Sequence, residues 1–135
     1  AESPGTTLYA VEPEAFDDTA RSLAAGHRVG HPQAAPSICD ALQTPIPGEL
    51  TFPINQRVLG GAFGISDREA AAAVAYAFRT LKLVVEPGGA AALAALLAGR
   101  VETRDRTTAV VLSGGNIDPA LFSAIIEDRF TGAET

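Results

Sequence analysis

The stretch Thr107-Thr-Ala-Val-Val-Leu112 carries no charge and no alternation of polar with apolar residues. A short apolar run of this kind suits a strand buried on both faces, which occurs almost only in parallel sheets covered by helices. The residues after it reinforce that reading. Ser113-Gly-Gly-Asn116 makes a turn, and Asp118-Pro119 supplies a cap and a first-turn proline for a helix to about Asp128. The same order recurs upstream. Thr7–Val11 is β-rich, and Pro13 suits the first position of a helix whose residues Phe16, Ala20, Leu23 and Ala24 share one face until Gly26. Ala62–Ile65 reads as a short strand, followed by a capping box at Ser66-Asp-Arg-Glu69 and an Ala-rich helix through about Leu81. Leu83–Val85 is either a short buried strand or a helix-to-helix turn. Pro87 opens another helix, Ala90–Ala98, which stops at Gly99. Between these units, residues 27–53 carry five prolines and little periodicity, an irregular crossing of the length that is often functional. A short helix over Glu49–Leu59 is predicted, disturbed by Pro53 and closed by Gly60-Gly61. Strands alternating with helices make the fold class α/β, with parallel strands and flanking helices.

Composition narrows the function. The 135 residues fit one domain, and 47% hydrophobic with 19% charged residues is globular usage. A net charge of -6 without any basic cluster excludes nucleic acid and anionic membrane surfaces as expected partners. No apolar run reaches the ~20 residues of a membrane span, and the first residues lack a signal-peptide layout, so a cytoplasmic location is expected. Cys39 is the only cysteine, which rules out an internal disulfide or a cysteine-based zinc site within this chain. Lys82 is the single lysine beside nine arginines. Chemistry that needs a lysine must use Lys82 or find one elsewhere.

In open α/β sheets ligands bind beyond the carboxyl ends of the strands. Three polar clusters fall there: Glu12, Glu86 and Ser113–Asn116. Ser113-Gly-Gly-Asn116 puts a hydroxyl at a strand tip, with glycines that allow backbone to approach a ligand, though many such turns carry Ser and Gly for steric reasons alone. Glu86-Pro-Gly-Gly is either a helix-end charge or a buried carboxylate that needs a partner. Glu12, Asp17 and Asp18 read equally as a solvated acidic helix start or as the makings of a hard-cation site. No GxSxG elbow is present, and His27 and His31 are expected at the surface.

Taken together these residues resemble a known family. Leu81-Lys-Leu-Val-Val-Glu-Pro-Gly-Gly-Ala90, with Ala91–Gly99 and then Val110-Val-Leu-Ser-Gly-Gly-Asn-Ile-Asp118, resembles the serine/threonine dehydratases (ammonia-lyases). These are fold-type II, tryptophan synthase β-like enzymes that use pyridoxal phosphate (PLP), with serine racemase a close relative. Tyr9-Ala-Val-Glu-Pro13, Ser37-Ile-Cys-Asp-Ala-Leu42 and Pro47-Gly-Glu-Leu-Thr-Phe52 match further segments in the same order. The resemblance covers residues 1–135 as the C-terminal portion of one catalytic domain. The family's Ser-x-Lys segment, whose lysine forms the Schiff base, and its Gly-rich phosphate loop have no counterpart here. The chain is therefore expected to be one part of a longer polypeptide, inactive alone, with the rest of the catalytic domain as its partner.

The resemblance assigns roles residue by residue. Ser113 matches the serine that hydrogen-bonds the PLP pyridine nitrogen, Gly114, Gly115 and Asn116 the adjoining cofactor wall, and Glu86 a glutamate beside the ring. A neutral hydroxyl leaves that nitrogen largely unprotonated and the ring a weaker electron sink, which suits β-elimination. Glu12, the carbonyl of Phe16 and Asp18 match a divalent-cation site (Mg, Mn or Ca) of serine racemase-like members. Two departures stand out: Ser37-Ile-Cys-Asp-Ala41 where many members have Thr-Ile-Ala-Asp-Gly, and Glu86-Pro-Gly-Gly89 where relatives often have Ser or Ala third. The activity implied is conversion of L-threonine or L-serine to a 2-oxo acid and ammonia by a homo-oligomer. A racemase of the same family is the near alternative, and a non-catalytic partner or regulatory module the distant one. The tail Thr131–Thr135 leaves no room for an amino-acid-sensing domain, so isoleucine feedback is not expected.

Overall fold

A computed structural model describes residues 3–30 and 35–132. Strand β1 (Leu8–Pro13) and strand β2 (Leu59–Ile65) pair in parallel, with Tyr9 opposite Gly61 and Pro13 opposite Ile65. Between them come a 3-10 turn (Glu14–Phe16), helix α1 (Asp18–Ala25), a second 3-10 turn (Asp40–Leu42) and helix α2 (Phe52–Val58). Beyond β2 lie α3 (Asp67–Tyr76), continued by a π turn (Ala77–Leu81), then α4 (Ala91–Leu97) and α5 (Pro119–Ile126). The α/β class with a parallel sheet and flanking helices is what the chain adopts.

The core sits between α3 and α4. Ala70, Ala73, Val74 and Ala77 pack against Ala91, Leu93, Ala94 and Ala95, with Ile65, Val85 and Ile125 closing the ends. Small residues on both helices let the backbones approach closely. The larger side chains therefore supply most of the apolar area: Ile65 and Val74 are fully buried, each stabilising by about 1.5–3 kcal/mol. The helix starts obey their local signals. Ser66 accepts from the Glu69 N–H while the Glu69 carboxylate accepts from the Ser66 N–H at 2.8 Å, and Asp118 accepts from the Leu121 N–H at 2.9 Å. Gly26 and Gly99 stop α1 and α4 in the left-handed conformation, at φ 73° and 69°.

Several expectations are corrected. Pro13 does not open a helix; it ends β1 in extended conformation, and α1 begins only at Asp18. The face that α1 buries is polar, Asp18, Thr19 and Ser22, while Ala20 and Leu23 are half-buried and Ala24 is exposed. Pro53 lies in the first turn of α2, where a missing N–H costs nothing, so it supports the helix instead of disturbing it. Gly60 and Gly61 belong to β2, not to a helix end. A Cβ on Gly60 would stand 2.5 Å from the Thr7 methyl carbon, so glycine is what lets the strands meet there. The largest difference is at Thr107–Leu112. This run joins no strand, and Val111 is 72% exposed. A parallel strand needs neighbours on its edges, and no described segment ladders with this one.

Candidate functional site

Lys82 breaks the π turn at φ 63°, and the buried Val85 anchors the segment beyond it. Leu83–Val85 is neither strand nor helix, but it delivers Glu86 beside the Ser113–Asn116 segment. The Glu86 N–H donates to the Gly114 carbonyl at 3.0 Å, and the Asn116 N–H donates to the Glu86 carboxylate at 2.8 Å. Of the two sequence readings of Glu86, the partnered carboxylate is therefore the one realised; the side chain is half-buried and its partner is backbone.

Three glycines make this junction possible. A Cβ on Gly114 would lie 2.6 Å from the Glu86 Oε1, one on Gly89 2.7 Å from the Gly114 oxygen, and one on Gly115 2.8 Å from the Val84 oxygen. Any larger residue would separate the two segments. Ser113 stands exposed at the rim, and no described residue hydrogen-bonds its hydroxyl. The structure thus brings together Glu86, Ser113, Gly114, Gly115 and Asn116 on two adjacent segments, open on one side.

The acidic group is arranged differently. The Glu12 carboxylate accepts from the Thr19 N–H at 3.0 Å. Burial, with a smaller contribution from the nearby Asp18 charge, pushes Glu12 above the ordinary carboxylate range despite that bond. Asp18 and Phe16 are buried, whereas Asp17 lies 4.0 Å from Arg21, one helical turn on. Two of the three carboxylates share one environment and the third turns away. Among the described residues no group of three or more His, Cys, Asp or Glu is placed to hold a metal.

His27 is exposed, as expected, and His31 lies outside the described residues. Cys39 is fully buried, and burial pushes its thiol up to about 11, so it stays protonated and unreactive. A cavity of about 580 Å³ opens elsewhere, at the carboxyl ends of β1 and β2, lined among others by Glu14, Ser37, Asp67 and Arg68. Its central contact, the Asp67 carboxylate holding Ser37 at 2.6 Å, carries no sequence signal, because Asp67 reads simply as the first residue of a capped helix. Glu69 likewise reads in the sequence as a cap alone. Burial raises it, but the Ser66 bonds and the Arg100 guanidinium at 3.0 Å outweigh that and hold it below the ordinary value.

Comparison with known proteins identifies the family of the chain. The family described as pyridoxal-phosphate dependent enzyme matches residues 1–114, and the chain belongs to it. Among its relatives is an L-threo-3-hydroxyaspartate ammonia-lyase of Pseudomonas sp, 34% identical over 93% of this chain and 39% of that protein. Another is a serine racemase of Dictyostelium discoideum, 33% identical over 92% of this chain and 39% of that one. In structure, a threonine deaminase of T.th. matches with a TM-score of 0.79 and 40% identity, covering 86% of this chain and 39% of the other. The chain therefore spans about two-fifths of the length of these relatives. No helix among the described residues is long and apolar enough to cross a membrane.

Proposed function

We propose that the complete protein is a PLP-dependent ammonia-lyase that eliminates the β-hydroxyl of a hydroxy-amino acid, giving a 2-oxo acid and ammonia. The observation that carries this is the junction of Glu86 with Gly114 and Asn116, beside the unengaged Ser113 hydroxyl. The exposed Ser113 hydroxyl, a neutral group able to meet a ring nitrogen and unengaged by any described residue, is the feature by which the residues present fit the cofactor. Bound PLP supplies the electron sink that lets the α-proton and then the β-hydroxyl leave. The Ser113 hydroxyl would hold the pyridine nitrogen without protonating it, Gly114 and Gly115 would adjoin the cofactor, and Glu86 keeps the two segments in register through the Asn116 N–H. The remaining functional groups, including the lysine, come from the rest of the catalytic domain. Lys82 lies within the Lys-Leu-Val-Val-Glu-Pro element, away from a Schiff-base position by the resemblance, and its ammonium donates to the Arg79 carbonyl at 2.7 Å, at the end of the π turn.

L-Threo-3-hydroxyaspartate, L-threonine and L-serine are the substrates to offer first, given the relatives' names. Release of ammonia with a 2-oxo acid supports the proposal. A D-amino acid product instead favours the racemase reading, for which the 33% identity to a serine racemase speaks. A complete protein that takes up no PLP leaves only the non-catalytic module.

The same reading includes a hard divalent cation (Mg, Mn or Ca) held by Glu12, the Phe16 carbonyl and Asp18. An all-oxygen donor set of this kind suits such ions. The raised Glu12 supports it, since a cation between two crowded carboxylates relieves both burial and like-charge repulsion. Assembly as a homo-oligomer completes the proposal, and the solution mass of the full-length protein checks it.

A further inference from the structure

Asp67 opens α3 next to Ser66, yet its carboxylate serves a segment 30 residues away. One oxygen accepts from the Ser37 hydroxyl at 2.6 Å and the other from the Ile38 N–H at 3.1 Å. The Ser37 oxygen in turn accepts from the Cys39 N–H at 3.1 Å, and the Leu42 N–H donates to the Cys39 carbonyl at 3.0 Å, which closes the 3-10 turn Asp40–Leu42. Beyond that turn lies Gly88. A Cβ built on Gly88 would stand 3.6 Å from the Ala41 Cβ and 3.5 Å from the Leu42 Cγ, ordinary contact distances. Gly88 belongs to the turn Glu86–Gly89 that grips Gly114 and Asn116. Hydrogen bonds thus link Asp67 to the Ala41–Leu42 turn, which faces Gly88 across about the room of one methyl group, beside the candidate cofactor wall.

We propose that Asp67 is a positioning residue, whose carboxylate clamps Ser37 and Ile38 so that the Ala41–Leu42 turn stands fixed against Gly88 as a side wall of the substrate space. This rests on the function proposed above. Asp67 touches neither cofactor nor substrate; it acts through the turn. The segment around Ser37 has no regular secondary structure beyond the three-residue turn; the two bonds to the Asp67 carboxylate fix it together with the buried Cys39 and the Gln43 side-chain amide, which donates to the Ser37 carbonyl at 2.6 Å. Loosening the turn misplaces the substrate while the junction of Glu86 with Gly114 and Asn116 keeps its own hydrogen bonds.

The test uses the full-length protein with Asp67→Asn, which keeps the size of the side chain and can accept only one of the two bonds. Ser37→Ala and the double variant complete a cycle. Two readouts are taken. The first is the KM for whichever of L-threo-3-hydroxyaspartate, L-threonine or L-serine is turned over, beside the affinity for PLP. The second is alkylation of Cys39, tracked by mass spectrometry of its peptide, because the buried thiol lies directly behind the clamped residues. Asp67→Asn is expected to raise KM about 10-fold with PLP affinity unchanged within about twofold, and to speed Cys39 alkylation at least about 10-fold. Ser37→Ala moves both the same way, and the double variant is no worse than Asp67→Asn, as members of one unit behave. Unchanged KM and alkylation with only a lowered melting temperature would mean that Asp67 merely serves its helix, and the proposal fails. Wild-type protein without PLP overturns the proposed function and the substrate wall with it. In that event fast alkylation of Asp67→Asn still separates a real clamp from none.

Discussion

The region built on β1, β2, α3 and α4 is laddered and packed within the chain; the region from Thr107 to Asn116 ladders with no described segment. In the first, local signals meet partners inside the chain: the α3 cap with its N–H, β1 with β2, alanine with alanine. In the second, the uncharged run Thr107–Leu112 passes through without a ladder to any described segment, and Val111 lies 72% exposed. Yet it is the second region that carries Ser113 and the glycines. The site is held to the first region by the Glu86 bonds to Gly114 and Asn116 and by Val110, Leu112 and Ile117, which pack against the core. The proposed cofactor wall has its position set by the first region.

Substitutions can break or sharpen that contrast. The largest effect is expected in the first region: Ile65→Ala in the fully buried core costs about 2–5 kcal/mol, read by denaturant unfolding, in the isolated chain and the full-length protein alike. Val111→Ala should behave otherwise, with about 0.5 kcal/mol or less in the isolated chain but about 1–3 kcal/mol in the full-length protein, where neighbouring strands cover it. Equal costs in both settings would erase the distinction between the regions. Gly89→Ala pushes a Cβ against the Gly114 backbone and should cost about 1–3 kcal/mol, with PLP affinity of the full-length protein falling at least about 10-fold. Removing the cap by Ser66→Ala should cost about 0.5–2 kcal/mol without altering PLP affinity.

The smallest effect is a pH dependence at Glu12. Its folded-state value is raised, so just above the ordinary carboxylate range the folded chain still holds a proton that the unfolded chain has released. Stability from this group therefore falls as pH rises through that window. The divalent cation proposed above, held by Glu12 and Asp18, should reverse the slope. Melting curves with and without magnesium across that window check this, and the slope should vanish in Glu12→Gln.

Much of the first region was legible because its signals are local. Ser66 with Glu69, Asp118 with Pro119, Gly26 and Gly99 each act within one turn of helix, and each acts as its residue type dictates. The failures have non-local causes. Pro13 and Gly60-Gly61 look like helix punctuation until the pairing of β1 with β2 claims them. The polar face of α1 defeats apolar periodicity, because burial there tracks Glu12 and Asp18 and not the side chains of Ala20 and Leu23. At the candidate site the residue types around Glu86 and Ser113 could be read from the pattern, and the structure adds how they touch. Asp67 could not be read at all, since nothing in a capping box signals a bond to Ser37.

The most direct test of the central claim is intact and peptide mass spectrometry of the full-length protein before and after borohydride reduction. One reduced PLP fixed on a lysine outside residues 1–135 is the predicted result, lost or weakened in Gly114→Ala. No adduct, or an adduct on Lys82, would contradict the account.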